Sequence, residues 1–335
     1  MGLSNILSHY DAIVSLKNGE PCRPRFVDLH TSNRCNQRCA GCAYGCHLDN
    51  TIMSEEDHVK VVNDLVRFGV KAFDFAGGGD PLCLPYAGRI LDMVNSQGCS
   101  YGVITNGSMM KDNLIEQIVR QATYIRVSFE ASNPEDWARY KGVKKSMWDK
   151  TVENVSKLIA SREAQGSSCE IAIKFGVGKT LRGHKHYADG IAIAEQIGVD
   201  NVQFKAFRHE PEELAYNEKV KENSILDEEA EGHENVRRWL IPAPEEDIPQ
   251  CWLNPLHTVV DYLGNVYICC YYYYRDEHCI GNMLEQPIEE FWMSEKHQGL
   301  IRKIKKNECA KVDCKFFRHH KIVEQEFKRG RIDFL

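Results

Sequence analysis

The order of strand-like and helix-like segments constrains this chain of 335 residues most. Strand-like runs read at Phe26–Thr31, Lys71–Ala76, Tyr101–Thr105, Tyr124–Phe129, Glu170–Val177 and Val202–Phe207. Helical runs fall between them, from Ser54 and at Tyr86–Ser96, Asp112–Ala122, Ser146–Glu163 and Tyr187–Ile197. Ser54 and Asp57 form an S-x-x-D start signal for the first of these. Val59, Val62, Leu65, Val66 and Val70 supply its apolar period. Six strand-led units in series predict an α/β fold with a parallel sheet and outer helices. With right-handed crossovers, such a sheet curls into an open, partial (β/α)6 barrel.

Strand alternation adds a second signal. In Tyr124–Glu130, Ile125, Val127 and Phe129 face the helices, which turns Arg126, Ser128 and Glu130 inward. The same phase turns Asp28, His30, Asp74, Lys174, Gln203 and Lys205 inward. A barrel core is ordinarily filled with branched apolar side chains. Interior charge on this scale is costly in a dry core, so the expectation is a solvated, polar ligand cavity.

Chemistry enters with Cys35-Asn-Gln-Arg-Cys39-Ala-Gly-Cys42, a C-x3-C-x2-C loop just after the first strand. Three thiolates on one loop can hold three corners of an iron–sulfur cube and leave the fourth iron open. A zinc loop completed by Cys46 or His47, or three buried free thiols, stays open on spacing alone. The chain has fourteen cysteines, grouped by ligand spacing and not spread as a disulfide framework. No apolar run reaches membrane-spanning length, and the first residues lack a secretory layout. A cytoplasmic metalloprotein is the expectation. A net charge of −6 gives no nucleic-acid footprint. Residues 210–247 hold thirteen acidic side chains against four basic, and 300–331 hold eleven basic against four acidic. They read as a solvated acidic connector and a basic terminal helix.

The cysteine loop resembles the signature of the radical S-adenosylmethionine (SAM) enzymes. Gly78-Gly79-Asp80-Pro81, directly after the second strand, is similar to that family's GGEP segment, with Asp in place of Glu. Thr105-Asn106-Gly107 and Ser128-Phe129-Glu130 resemble two further family segments. The resemblance implies a [4Fe-4S] cluster on Cys35, Cys39 and Cys42 whose open iron chelates SAM. It implies SAM contacts from Gly78, Gly79, Asp80, Asn106 and Ser128, and Lys174 is by its charge the candidate partner for the SAM carboxylate. The family often places an aromatic residue before the third cysteine. Here that position is Gly41, and Tyr44 is the candidate substitute.

A second cysteine group follows a proline-rich stretch. Cys251 is followed by Gly264-x4-Cys269 and by Cys309-x4-Cys314. Between the first pair, Val259–Ile268 reads as a hairpin turned at Leu-Gly-Asn. This spacing resembles the C-terminal SPASM extension of radical SAM enzymes, in its shorter twitch form. That implies a second, auxiliary [4Fe-4S] cluster on Cys251, Cys269, Cys309 and Cys314. Cys270 and Cys279 compete for these roles. On a strand Cys269 and Cys270 would point to opposite faces, and the G-x4-C register favours Cys269. A structural zinc at these cysteines stays open on spacing.

The resulting division is an N-terminal segment (1–24), a radical SAM partial barrel (25–208), an acidic connector (209–250) and a SPASM/twitch-like domain (251–335). The resemblance implies reductive cleavage of SAM to a 5′-deoxyadenosyl radical, fed by a one-electron donor such as flavodoxin or ferredoxin. The favoured reading is oxidation of a small molecule, a sugar or aminocyclitol alcohol. Arg126, Glu130, Lys205 and Arg208 are the candidates for substrate contacts or the base. An epimerase using Cys46, Cys83 or Cys279, a peptide-modifying maturase, and a non-catalytic iron–sulfur scaffold or sensor are the alternatives. Neither nucleic acid nor membrane is expected as a partner.

Overall fold

The computed structural model describes residues 9–45, 48–207, 212–239, 251–304, 314 and 316–329. The chain divides into two compact units, one of Leu29–His58 and Phe73–Ile241, the other of Met1–Asp28, Val59–Ala72 and Pro242–Leu335.

The first unit carries the end of β1 (Phe26–Leu29), most of β2 (Ala72–Phe75), then β3 (Ser100–Thr105), β4 (Tyr124–Glu130), β5 (Glu170–Val177), β6 (Asn201–Ala206) and β7 (Val236–Trp239). These lie side by side in chain order, as simple βα repetition requires. From β3 to β7 every neighbouring pair is parallel. The sheet does not close on itself, which makes it a partial barrel. Its helix-facing side is a ladder of buried rings, Phe75, Tyr101, Phe129, Phe175 and Phe204, one from each of five strands. Phe129–Phe175 and Phe175–Phe204 centroids lie 5.7 and 5.5 Å apart. Each such ring contributes about 1.5–3 kcal/mol by burial.

Strand edges fall within two residues of the sequence reading, and β5 matches it. The helices α3 (Ala87–Ser96), α4 (Asp112–Gln121), α6 (Ser146–Gln165) and α7 (His184–Ile197) also stand where expected; α1 (Tyr10–Lys17), α2 (Glu55–Phe68) and α5 (Pro134–Lys141) complete the set as far as α7. Ser54 caps α2, its Oγ accepting the Asp57 N–H at 3.0 Å. The buried stripe of α2 differs from the expected one. Val61, Val62, Leu65 and Phe68 are inside, whereas Val59 is 37% exposed. The row i, i+4, i+7 that ends in Phe68 buries more surface than the valine row starting at Val59.

Helices α5 and α8 (Tyr216–Glu229) and strand β7 escaped the sequence reading. Helix α5 is short, and its signals are local. Asn133 caps it, Pro134 opens it, and Gly142 ends it at φ +65°. The stretch expected to be only a solvated acidic connector holds a helix, α8 (Tyr216–Glu229), and strand β7. Glu222 of α8 is buried, and its carboxylate accepts from Tyr187 Oη at 2.5 Å and Gly183 N at 3.0 Å. Acidic composition hid a helix whose buried carboxylate is hydrogen-bonded.

In the second unit, α1 packs its Ala12 and Ile13 with Leu256 and with Val323 of α11 (Phe317–Arg329). Strands β8 (His257–Val260) and β9 (Asn265–Tyr267) form the expected hairpin, pairing Val259 with Tyr267. Asp261 fixes its turn by accepting from Leu263 N and Asn265 N, both at 2.9 Å. Gly264 there has φ +82°, which disfavours any side chain. β10 (Cys279–Asn282) adds a third antiparallel strand, followed by α9 (Ile288–Phe291) and α10 (Glu295–Lys303). Among the described residues no helix is long and apolar enough to cross a membrane.

Candidate functional site

The thiol loop is seated by backbone hydrogen bonds from two directions. Gly79 N donates to Ser32 O at 2.7 Å and Asp80 N to Arg34 O at 2.9 Å. From the other side, Arg38 N donates to Lys141 O at 3.0 Å and Ala40 N to Tyr140 O at 2.8 Å. The glycine run is explained by this seat. A Cβ on Gly79 would lie 1.9 Å from Arg34 O, and one on Gly78 2.4 Å from Ser32 O. Close approach is needed here to the chain's own backbone, a reason the sequence reading did not give.

Asp80 is locked into the same seat. Its carboxylate accepts from Leu82 N at 3.0 Å, from Thr105 Oγ1 at 2.9 and 3.0 Å, and from Asn106 N at 2.6 Å. Burial pushes its pKa up, against these hydrogen bonds. Asn106 in turn reaches the loop. Its Nδ2 donates to Asn36 Oδ1 at 2.8 Å and lies 3.8 Å from Cys35 Sγ.

The three thiols are partly to mostly buried, and desolvation is the main reason each is harder to ionise. Cys39 is pushed up to about 12. Cys42 also raises Cys35 and Cys39, and Cys35 raises Cys39, because like charges repel. A donor set that resists becoming three thiolates on its own fits a cationic iron–sulfur core, which needs them deprotonated. Among the described residues no three His, Cys, Asp or Glu side chains close on one shared ion. A cube places each thiolate on a separate iron.

The inward face of the sheet is polar, as its alternation predicts. Lys174 Nζ lies 2.7 Å from Glu130 Oε1. Tyr124 Oη donates to Asp74 Oδ1 at 2.6 Å, and the Arg126 guanidinium lies 5.4 Å from the Tyr124 ring centre. Gln203 is in register with Lys174, and the half-buried Lys205 with Gly176. Glu130 stands out. Its φ is +79°, β4 bulges against β5 between Ser128 and Glu130, and the side chain is buried. Its Oε2 has no hydrogen-bond partner among the described residues. A non-glycine residue in this region stores strain, typically of order 1–3 kcal/mol. Arg208, the fourth expected substrate contact, lies outside the described residues, as do Cys46 and His47. Two inward residues have structural partners instead. Asp28 pairs with His257 Nε2 at 3.1 Å, and the His30 ring fills the space a Cβ on Gly77 would need. Tyr44 lies edge-on to His30 at 5.4 Å.

The second cysteine group corrects one expectation. β9 ends at Tyr267, so Cys269 and Cys270 are not on a strand and do not face apart. Their side chains are hydrogen-bonded to each other, which together with burial and the nearby Cys314 raises the Cys269 pKa well above normal. Strand alternation therefore cannot choose between them. Cys251 Sγ lies 3.8 Å from Nε2 of His320 on α11. Leu253 N donates to His320 Nδ1 at 3.3 Å, so the ring proton sits on Nε2 and points at the sulfur. Cys309 lies outside the described residues. Cys279 donates to Gly281 O at 3.5 Å.

Comparison with known proteins assigns the class. Residues 29–170 match the radical SAM superfamily, and residues 251–315 match the SPASM iron–sulfur cluster-binding domain. The chain carries a radical SAM domain and a C-terminal SPASM domain. It is 25% identical over 112 residues to an S-adenosylmethionine-dependent nucleotide dehydratase of Thermoplasmatales archaeon (strain ISO4-H5), covering 33% of this chain and 40% of that protein. It is 27% identical over 151 residues to the antilisterial bacteriocin subtilosin biosynthesis protein AlbA of Bacillus subtilis (strain 168), covering 43% of this chain and 32% of that protein. The alignments thus span well under half the length of these relatives. In fold, Streptococcus suis SuiB bound to its precursor peptide SuiA superposes with a TM-score of 0.71 at 12% identity, over 90% of this chain and 72% of that one. The two domains imply [4Fe-4S] clusters and SAM as cofactors.

Sequence reasoning missed Lys141, Asn36 and His320. Lys141 sits on the unforeseen helix α5. Asn36 lies inside the cysteine motif, where only the thiols drew attention. Nothing in the local sequence marks His320.

Proposed function

We propose that this radical SAM enzyme oxidises an alcohol carbon of a small polar substrate, with Glu130 taking the hydroxyl proton. The observation that carries this reading is the Glu130 carboxylate, strained, buried and held by Lys174 through one oxygen while the other lacks a donor. An acceptor built this way suits a hydroxyl or amino hydrogen. Cys35, Cys39 and Cys42 hold the SAM-binding cluster in this reading. Cys251, Cys269, Cys309 and Cys314 hold the auxiliary one. When bound, these groups and SAM supply a 5′-deoxyadenosyl radical that takes one hydrogen atom, and a sink for the one remaining electron.

The residues do the rest. Glu130 receives the proton, so the alcohol loses one hydrogen atom, one proton and one electron to become a carbonyl. Lys174 fixes the carboxylate through their ion pair. Arg126 and Lys205 on the inward face orient the substrate, and Arg208 is assigned the same role from the sequence. Gly78, Gly79, Asn106 and Ser128 border the SAM site. Asp80 shapes that border through its bonds to Thr105 and Asn106.

The test is anaerobic turnover of the reconstituted enzyme with SAM, a low-potential reductant and a metabolite extract in deuterated buffer. A product two mass units lighter than its precursor, formed with 5′-deoxyadenosine, supports oxidation. An isomer carrying solvent deuterium would replace it with epimerisation. A second reading, modification of a peptide, is favoured by the likeness to the bacteriocin biosynthesis protein. Extracts stripped of peptides and still active would exclude it.

A further inference from the structure

We infer that Lys141 is a buried cation that sets the reduction potential of the cluster on the Cys35–Cys42 loop. This rests on the proposed assignment of that loop as the cluster site, and goes beyond it by naming what makes the cluster reducible.

Lys141 is the last residue of α5 and only 1% exposed. Few lysines are buried to this degree without a partner that needs the charge. Its Nζ donates to the Ser128 carbonyl and lies 5.9 Å from the centre of the buried Trp137 ring. These are neutral partners, and neither balances a full positive charge. The backbone of the same residue holds the thiol loop, because Arg38 N donates to Lys141 O at 3.0 Å. The next turn is fixed by Gly142, where a Cβ would lie 2.8 Å from Arg38 O. Lys141 is thus anchored to the cysteine loop by its main chain, with its ammonium held on the Ser128 carbonyl. Its charge acts on all three thiols and on Asp80, favouring the ionised form each time. For Cys39 it is the strongest charge, and it opposes Glu130.

Reduction of a [4Fe-4S] cluster by one electron from a flavodoxin- or ferredoxin-class donor adds one negative charge at this loop, with no bond made or broken. A fixed cation in a low-dielectric site stabilises the reduced form more than the oxidised form. Net charge, burial and hydrogen bonds at the sulfurs are the levers that set such potentials. Lys141 supplies the first two. Glu130 pulls the opposite way. Lys141 is therefore a positioning residue that works through the cluster and does not touch the substrate.

The experiment is an EPR-monitored redox titration of the reconstituted full-length protein, without SAM, comparing wild type with Lys141→Met, Lys141→Arg and Glu130→Gln. Lys141→Met should favour the oxidised cluster about tenfold, a negative shift of about 59 mV for a one-electron couple. Lys141→Arg should stay near wild type, and Glu130→Gln should shift the potential upward. An unchanged or raised potential in a Lys141→Met protein with wild-type iron and EPR amplitude overturns the inference. If Lys141→Met does not hold iron, Glu130→Gln decides, because an unchanged or lowered potential there overturns it equally. Absence of a four-iron EPR signal in wild type would defeat the cluster assignment itself, a separate outcome.

Discussion

The two cysteine groups differ in how the chain assembles them. Cys35, Cys39 and Cys42 come from eight consecutive residues, and the glycine run after β2 and the end of α5 clasp that loop through four backbone hydrogen bonds. Cys251, Cys269, Cys270 and Cys314 come from three distant segments, and His320 reaches Cys251 from a terminal helix. In the first case local sequence fixes the thiols and the fold supplies a rigid seat. In the second, the ligand set exists only once the segments meet. The first group should fail when its seat is disturbed, even with every cysteine intact.

The sharpest way to break this contrast is Gly79→Ala. The added Cβ would strike Arg34 O, so the loop must move. Iron in the reconstituted protein should fall from about eight to about four atoms per chain. SAM cleavage should vanish. Wild-type iron and cleavage in that variant would mean the seat is dispensable. The counterpart replaces Cys251, Cys269, Cys309 and Cys314 with alanine. Iron should fall by the same amount, yet 5′-deoxyadenosine should still form and oxidised product should not.

Glu130→Gln sharpens the role of the inward face. Loss of a general base costs about 10²–10⁴ in rate. Product formation should drop by at least a hundredfold while SAM cleavage stays within a few-fold of wild type. Equal loss of both would make Glu130 a SAM ligand instead.

Smaller effects come from pH, through one buried histidine in each unit. Burial depresses His58 in the first and His297 in the second to about 4. Between that value and 6.5 the unfolded chain binds a proton that the folded histidine refuses, so stability falls as pH drops through this window. Each histidine should cost about 1–2 kcal/mol by pH 5 relative to pH 7.5. His58→Gln should flatten that loss in thermal unfolding, and an unaltered pH slope would contradict it. Thr105→Val removes one donor to the buried Asp80 carboxylate. It should lower stability by about 1–3 kcal/mol.

Contiguous signals were legible in the sequence. Alternation in β4 separated Ile125, Val127 and Phe129 from Arg126 and Ser128, and the burial pattern repeats it. The glycine run was visible, although its reason, the approach to Arg34 O and Ser32 O, depends on a loop forty residues away. Lys141 was not legible, because a lysine at the end of a short helix usually reaches water, and only tertiary packing turned it inward. The Cys269–Cys270 expectation failed because it assumed the strand continued, whereas β9 stops two residues earlier. Helix α8 was hidden by composition, since its buried Glu222 looks like any other acidic surface residue until Tyr187 is seen against it.

The central claim is that the Cys35–Cys42 loop is where SAM is cleaved. The direct measurement is 5′-deoxyadenosine formed from SAM by anaerobically reconstituted wild type and by the Cys35→Ala, Cys39→Ala, Cys42→Ala triple variant under the same reductant. Wild type should produce it, and the triple variant should produce none while keeping its circular dichroism spectrum and about four irons. Undiminished 5′-deoxyadenosine from the triple variant would contradict the claim.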